Sequence, residues 1–312
     1  MPGRGTGETR ETQGTREPRE TRGTRETRET LFFDDFTSAE LDRSSWNVRT
    51  TTTPFNQEEQ AYIDSEDTLS MIHDGLDGDA EGALAIRGLY RPGTRCGGAT
   101  YDFVSARIDT RARVEFGHGA ISARVKLPAG PGLWPAFWLL GAGPWPEVGE
   151  IDVMENVGEA DWVSVAVHGA GYAGETPLVN RRYFPPGQDT GSWHVYSVDW
   201  TPSGLAFRVD GDLAYRATRT MVEHYGPWAF DARKYLILNL ALGGAYPFKT
   251  NGAREPYFGI PPATLDRIQA GQALMLVDWV RVEGPAVERP AGESPEMDGP
   301  APDNLETAGS AG

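Results

Sequence analysis

The chain has a single cysteine, Cys96, among its 312 residues. No intrachain disulfide can form, and the redox compartment is left open. Basic residues are also scarce. Lys and Arg total 29 against 45 Asp and Glu, for a formal net charge of −16. Nucleic acid and anionic membrane surfaces both demand a basic face, so neither is an expected partner. A neutral ligand fits this charge better than a polyanion. Only five histidines occur, none paired at metal-ligand spacing, so no cofactor is expected for catalysis. No apolar run approaches the roughly 20 residues of a membrane span. The N-terminus lacks the apolar core of a secretory signal, so either export uses another route or the natural chain starts elsewhere. Long amphipathic helical patterns are missing as well.

What remains is a β pattern between two biased ends. Residues 1–30 repeat Arg-Glu-Thr and Gly-Thr-Arg units, which cannot offset their ordering entropy by burial. Residues 285–312 are acidic and rich in Pro and Gly, and also read as disordered. One domain is therefore expected over residues 31–284. Within it, segments such as "AISARVKL", "VSVAVHG", "WHVYSVDW" and "YLILNLAL" alternate with period two, and "VDGD" and "LPAGPG" punctuate them. "PATLDRIQAG" reads as one short helix ended by Gly271. Many short antiparallel strands of this kind make an all-β sandwich of two curved sheets, whose concave face can hold a chain-like ligand. The nine tryptophans suit the walls of such a groove.

"GEIDVMENV", Gly149 to Val157, carries Glu150, Asp152 and Glu155. In an unbroken strand Glu150 and Asp152 share a face and Glu155 points away. Two readings are open. In the first, the acids decorate a polar strand face, at the cost of like-charge repulsion. Alternatively, one extra residue near Val153–Met154 bulges the strand and returns Glu155 to the face of the other two. Two carboxyls would then approach the roughly 5–5.5 Å that a retaining glycosidase uses.

"GEIDVMENVG" resembles the bulged Glu-x-Asp-x-x-Glu strand of family-16 glycoside hydrolases, in the form found in laminarinase-like endo-β-1,3-glucanases. "FFDDFTSAELDRSSWNV", "NQEEQAYID", "GHGAISARVKLPAGPGLWPAFWLLG", "VHGAGY", "WHVYSVDWTP", "FRVDGDLAYR", "LILNLALGGAYP" and "VDWVRV" are similar to further family segments in the same order. The resemblance covers about residues 32–282. It implies a β-jelly-roll, retention of anomeric configuration, and hydrolysis of β-1,3-glucan by double displacement. It assigns the nucleophile to Glu150, the assisting acid to Asp152 and the general acid/base to Glu155. Glu155 must stay protonated, and the negative Glu150 beside it is expected to raise its pKa.

Trp134 and Trp138 are four apart, hence on one strand face, where either core packing or sugar stacking is open to them; the resemblance places them at the sugar site. It likewise places His168 near the catalytic strand and Asn56 at the donor-side subsites; Tyr172, after the same Gly-rich turn, is a further candidate for the cleft rim. Arg87 is a further candidate for sugar hydroxyls. His194 reads as structural. Asn239 is a polar residue in a very apolar strand and needs partners if buried. Asp35 and Asp278 fall where the family often carries a structural Ca²⁺ on the convex face, although "FDDF" replaces the commoner Asp-Glu-Phe.

The implied partner is a β-glucan polysaccharide, taken up by a monomer. A polysaccharide substrate implies a secreted or periplasmic protein. Three rivals share the scaffold: a β-1,3-1,4-glucanase, a transglycosylase, and a non-catalytic glucan-binding protein. Binding relatives lack one or both glutamates, and here both are present.

Overall fold

The computed structural model describes residues 28–51 and 55–285. The strands in the first third are β1 (Arg28–Asp34), β2 (Asn47–Val48), β3 (Gln60–Tyr62), β4 (Leu69–Ile72), β5 (Ala83–Arg87), β6 (Leu89–Cys96), β7 (Ala99–Ser105) and β8 (Arg107–Asp109). β9 (Gly119–Lys126), β10 (Leu133–Gly141), β11 (Glu150–Glu155), β12 (Trp162–His168) and β13 (Leu178–Tyr183) follow. Next come β14 (His194–Thr201), β15 (Gly204–Val209), β16 (Asp212–Thr218) and helix α1 (Arg219–Glu223). The chain finishes with β17 (Lys234–Leu242), α2 (Ala245–Asn251), α3 (Pro262–Gln269) and β18 (Leu274–Pro285).

Two antiparallel sheets stack as an open sandwich of jelly-roll type. One runs β16-β15-β14-β9-β18-β5-β4, with β1 added along β18; the other runs β13-β12-β11-β10-β17-β8-β2. Alternation sorts the side chains. Ile121, Ala123 and Val125 of β9 face Phe137 and Leu139 of β10 and Leu236, Leu238 and Leu240 of β17 in one core cluster. The opposite face of the seven-stranded sheet is left to polar and aromatic residues.

Three features add to that two-sheet frame. β3 lies parallel to β7 in a small third sheet with β6. The chain turns after Asp109, where Arg113 N–H and Val114 N–H both return to the Thr110 carbonyl. Strand β1 takes in Arg28, Glu29 and Thr30, ahead of residue 31. Arg28 pairs with Pro285 and its guanidinium meets Asp199 at 2.9 Å, so β18 continues past residue 284 and recruits three residues of the repetitive segment. The remainder of the two biased ends, 1–27 and 286–312, lies outside the described residues. The helix expected at Pro262–Gln269 is present, with Gly271 at φ +73° just beyond its end. Helices α1 and α2 are additional.

Phe137 is fully buried beneath β11 and faces Met154 across the β10–β11 pair. Phe137→Ala should therefore cost about 3–5 kcal/mol of unfolding free energy, read from the midpoint of denaturant unfolding.

Candidate active site

The acidic strand is bulged. Asp152 pairs with Trp138 on β10 and with Ala166 on β12, while Glu155 pairs with Ala136 and with Ser164. Two residues, Val153 and Met154, fill the interval that one residue spans on each neighbour. Both are fully buried in the core. Burying two apolar side chains in succession is what the extra residue permits, and it brings Glu155 back to the outer face with Glu150 and Asp152.

The neighbours then complete one surface. Trp134, Ala136 and Trp138 of β10 share this face, as do His168, Ala166 and Ser164 of β12. The Trp134 indole N–H donates to Glu155 Oε1 at 3.0 Å. The Trp145 indole N–H, from the β10–β11 loop, donates to Glu150 Oε2 at 3.0 Å. His168 Nδ1 accepts from the Gly174 N–H at 3.2 Å, which puts the neutral ring's proton on Nε2. That nitrogen lies 3.2 Å from Asp152 Oδ2 and 3.7 Å from Glu150 Oε1, close to both acids but not aligned as a hydrogen bond to either.

Charge on this strand is costly. Burial is the first cause that pushes Glu150, Asp152 and Glu155 up, each to about 8. Repulsion from Asp152 adds to the rise at both glutamates, and the two indole donors oppose it. Three such carboxyls share protons rather than titrate alone. The expected cause of the high Glu155 value needs correction: burial and Asp152 carry it, not Glu150.

A polar chain continues across the same face away from β12. Trp138 donates to Asn239 Oδ1 at 2.7 Å, and Asn239 donates to the Tyr62 hydroxyl at 3.1 Å. Tyr62 donates to Glu58, 3.4 Å away, and Asn56 donates to the same carboxylate at 3.4 Å. The Arg107 guanidinium lies 4.9 Å above the Trp138 ring. Asn239 is thus a satisfied residue of this face, and Asn56 sits at its far end. Beyond Glu155, Tyr246 packs edge-on against Trp134 and shares a 3.0 Å hydrogen bond with Ser164.

With this face in view, the comparisons are specific. Residues 98–244 match the model for "Glycosyl hydrolases family 16". A β-1,3-glucan-binding protein of Penaeus monodon is 30% identical over 332 aligned positions, which span 81% of this chain and 89% of that one. The chain belongs to glycosyl hydrolase family 16. A β-glucanase of Rhodothermus marinus is 33% identical over 192 residues, 58% of this chain and 62% of that protein, so the chain spans less than two thirds of that relative. The endo-β-1,3-glucanase structure from Pyrococcus furiosus superposes with a TM-score of 0.71 at 32% identity, covering 83% of this chain and 95% of that one.

Not every family-16 assignment made on the sequence reaches this face. Arg87 does not. Leu84 and Ile86 of β5 point into the core, so Arg87 emerges on the outer side of the eight-stranded sheet, where it donates to Ser70 Oγ at 2.6 Å. Tyr172 is not on the rim either. It is 1% exposed, packed beneath Gly169, with its hydroxyl donating to the Pro227 carbonyl at 2.9 Å. His194 is structural, as expected, held between Asp210 at 2.6 Å and the Asp189 carbonyl at 2.9 Å.

Asp35 and Asp278 do share a pocket of about 370 Å³ with Asp79 and Glu81 on the outer side of the eight-stranded sheet. A calcium ion does not fit that donor set as it stands. The Arg124 guanidinium contacts Asp278 at 2.5 Å and Asp79 at 2.7 Å, placing a fixed positive charge among the carboxylates. Asp35 spends one carboxylate oxygen on Thr37 N–H and Oγ. No step below depends on a metal.

Trp145, Tyr62, Arg107 and Tyr246 escaped the sequence reading. Their signal is weak because loop position and long-range pairing bring them to the site; only the Trp-Pro and Pro-Trp-Pro contexts set Trp145 apart from ordinary core tryptophans.

A carboxyl whose pKa is raised by folding holds its proton more tightly in the folded state. The resulting stability is full below about pH 4 and is lost as pH rises towards 8. Asp152→Asn removes the most buried of these charges. At pH 7.5 it should stabilise the protein by about 1 kcal/mol, with no gain at pH 4, in paired thermal melts. By carboxyl NMR, both glutamate titrations should move down.

Proposed function

We propose that this protein is a retaining endo-glycosidase that hydrolyses β-1,3-glucan, with Glu150 as nucleophile and Glu155 as general acid/base. The bulge at Val153–Met154 carries the reading, because it sets both glutamates and Asp152 on one face between indole donors. The endo-β-1,3-glucanase structure from Pyrococcus furiosus supports the linkage.

The glucan lies across the strands of the seven-stranded sheet. Three neighbouring, largely buried carboxyls cannot all ionise near neutrality. One proton stays on Glu155, and a second is held by Asp152 beside Glu150. Glu150, as carboxylate, attacks the anomeric carbon. The bond to the leaving sugar oxygen breaks as Glu155 delivers its proton. A covalent glycosyl ester forms at Glu150, and the Glu150 charge disappears. Glu155, now a carboxylate, takes a proton from water, whose oxygen attacks the same carbon and releases Glu150. Two inversions give net retention. Asp152 holds the mobile proton while the charge on Glu150 comes and goes, and the His168 Nε2 edge faces both acids.

Trp134 and Trp138 are the sugar-stacking residues of this reading, with Asn56 at the donor end. Arg107, 4.9 Å over the Trp138 ring, offers further donors to hydroxyl groups. A glucan-processing role favours action outside the cytoplasm.

A second reading, a non-catalytic glucan-binding protein, is favoured by the name of the Penaeus monodon relative. The paired glutamates weigh against it, because a binding face has no use for raised, buried carboxyls. Assays on laminarin and lichenan decide between the readings. Hydrolysis of laminarin is expected, with the β-anomer of the new reducing end appearing first by proton NMR. Glu150→Gln should lose at least about 10³-fold in kcat. Binding of laminarin with no turnover would establish the second reading instead.

Trp134→Phe removes a donor that lowers the Glu155 pKa. The acid would then keep its proton to higher pH. The basic limb of kcat/KM is expected to move up, measured across a pH series.

A further inference from the structure

Lys234 opens β17, and its side chain is wholly buried. The rest of that strand, "YLILNLAL", is apolar apart from Asn239, and nothing in its packing calls for an ammonium. Burying one is expensive unless its donors are met. Lys234 Nζ donates to the Val148 carbonyl at 2.6 Å and to the Ala229 carbonyl at 3.0 Å. The rings of Trp200 and Phe230 flank it at 5.8 and 5.4 Å. Burial pushes the ammonium down to about 8, and Asp231 works against that shift.

The Val148 carbonyl is a specific place to hold. It lies two residues before Glu150, at the end of the turn that carries Trp145. That turn is closed on itself, because Val148 N–H donates to the Pro144 carbonyl at 3.1 Å and Gly149 N–H to the Pro146 carbonyl at 3.0 Å. Holding Val148 therefore holds the backbone of the turn that carries Trp145, whose indole N–H meets Glu150 Oε2. The second anchor, Ala229, belongs to a different loop, and the two loops approach so closely that a Cβ on Gly149 would stand 2.4 Å from the Ala229 carbonyl oxygen. Gly149 also has φ +70°, so no larger residue fits there. Lys234 is the polar staple across that approach.

We propose that Lys234 is a positioning residue for Glu150, holding the Pro144–Gly149 turn so that Trp145 keeps its hydrogen bond on the carboxylate. The proposal rests on Glu150 as the nucleophile. The groups facing Glu150 are Asp152, Glu155, His168 and Trp145, and Trp145 is the one that Lys234 reaches through the backbone.

The test compares wild type with Lys234→Met, which keeps the length without donors, and Lys234→Gln, which keeps an N–H donor without charge. The readouts are the pH profile of kcat/KM and the separate kcat and KM on laminarin, with thermal melts alongside. Loss of the Trp145 donor raises the Glu150 pKa, so the acidic limb of Lys234→Met should move to higher pH by about half a unit or more. Its kcat should fall about 10–100-fold with KM little changed. Lys234→Gln should recover part of both effects. A folded Lys234→Met with an unmoved acidic limb and wild-type kcat overturns the proposal. If neither variant folds, Lys234 serves the fold as a whole, and the proposal is likewise overturned. Glu150→Gln, run in parallel, separates the two ideas: retained activity there removes the nucleophile assignment itself, whatever Lys234 does.

Discussion

One extra residue in β11 sets the terms for the rest of the site. A regular strand would bury Val153 and turn Met154 outward, leaving Glu155 against the core. Burying Val153 and Met154 together lets the core stay filled while the outer face gains a third acid. The arrangement is unfavourable taken alone, since three carboxyls must be desolvated side by side. The sandwich beneath compensates. Phe137, Leu139 and the fully buried run Tyr235–Leu242 supply a rigid floor of β10 and β17 that does not yield to repulsion on the surface above.

The surroundings moderate the charge without cancelling it. Trp134 and Trp145 each give one N–H to one glutamate, and His168 stands against Asp152 and Glu150. None of these carries a permanent positive charge. A lysine or arginine in their place would hold every acid ionised and leave no proton to donate. Neutral donors and one titratable ring keep protons on the cluster near neutrality, which is the condition that acid–base chemistry on a glycosidic oxygen requires. The basic side chains of this neighbourhood sit elsewhere: Arg107 over Trp138, and Lys234 beside the loop that carries Trp145.

Much of this was legible in the sequence. Period-two alternation implied the two-sheet sandwich, and the odd spacing of Glu150, Asp152 and Glu155 admitted a bulge where one occurs. The alternation of "LWPAFWLL" put Trp134 and Trp138 on a common face, and that held because β10 is regular. Failures came where position depends on partners distant in sequence. Arg87 was read as a hydroxyl contact, yet its face is decided by which sheet β5 joins, and β5 lies in the sheet away from the acids. Tyr172 follows a Gly-rich turn that suggested a rim; the turn instead folds back over its ring. Asp278 matched a cation-ligand position, and only the structure reveals that Arg124, 154 residues away, is its partner. Lys234 carried no readable signal, because a lysine at a strand start looks exposed until two loops close over it.

The central claim is that the bulged strand presents Glu150, and not Asp152, to the anomeric carbon. The direct measurement is to trap the glycosyl-enzyme with a 2-deoxy-2-fluoro β-glucoside carrying an activated leaving group, and to locate the adduct by peptide mass spectrometry. The label is expected on Glu150, within the peptide containing "GEIDVMENV". A label on Asp152 or Glu155, or release of the sugar with no covalent adduct and inverted configuration, would contradict it.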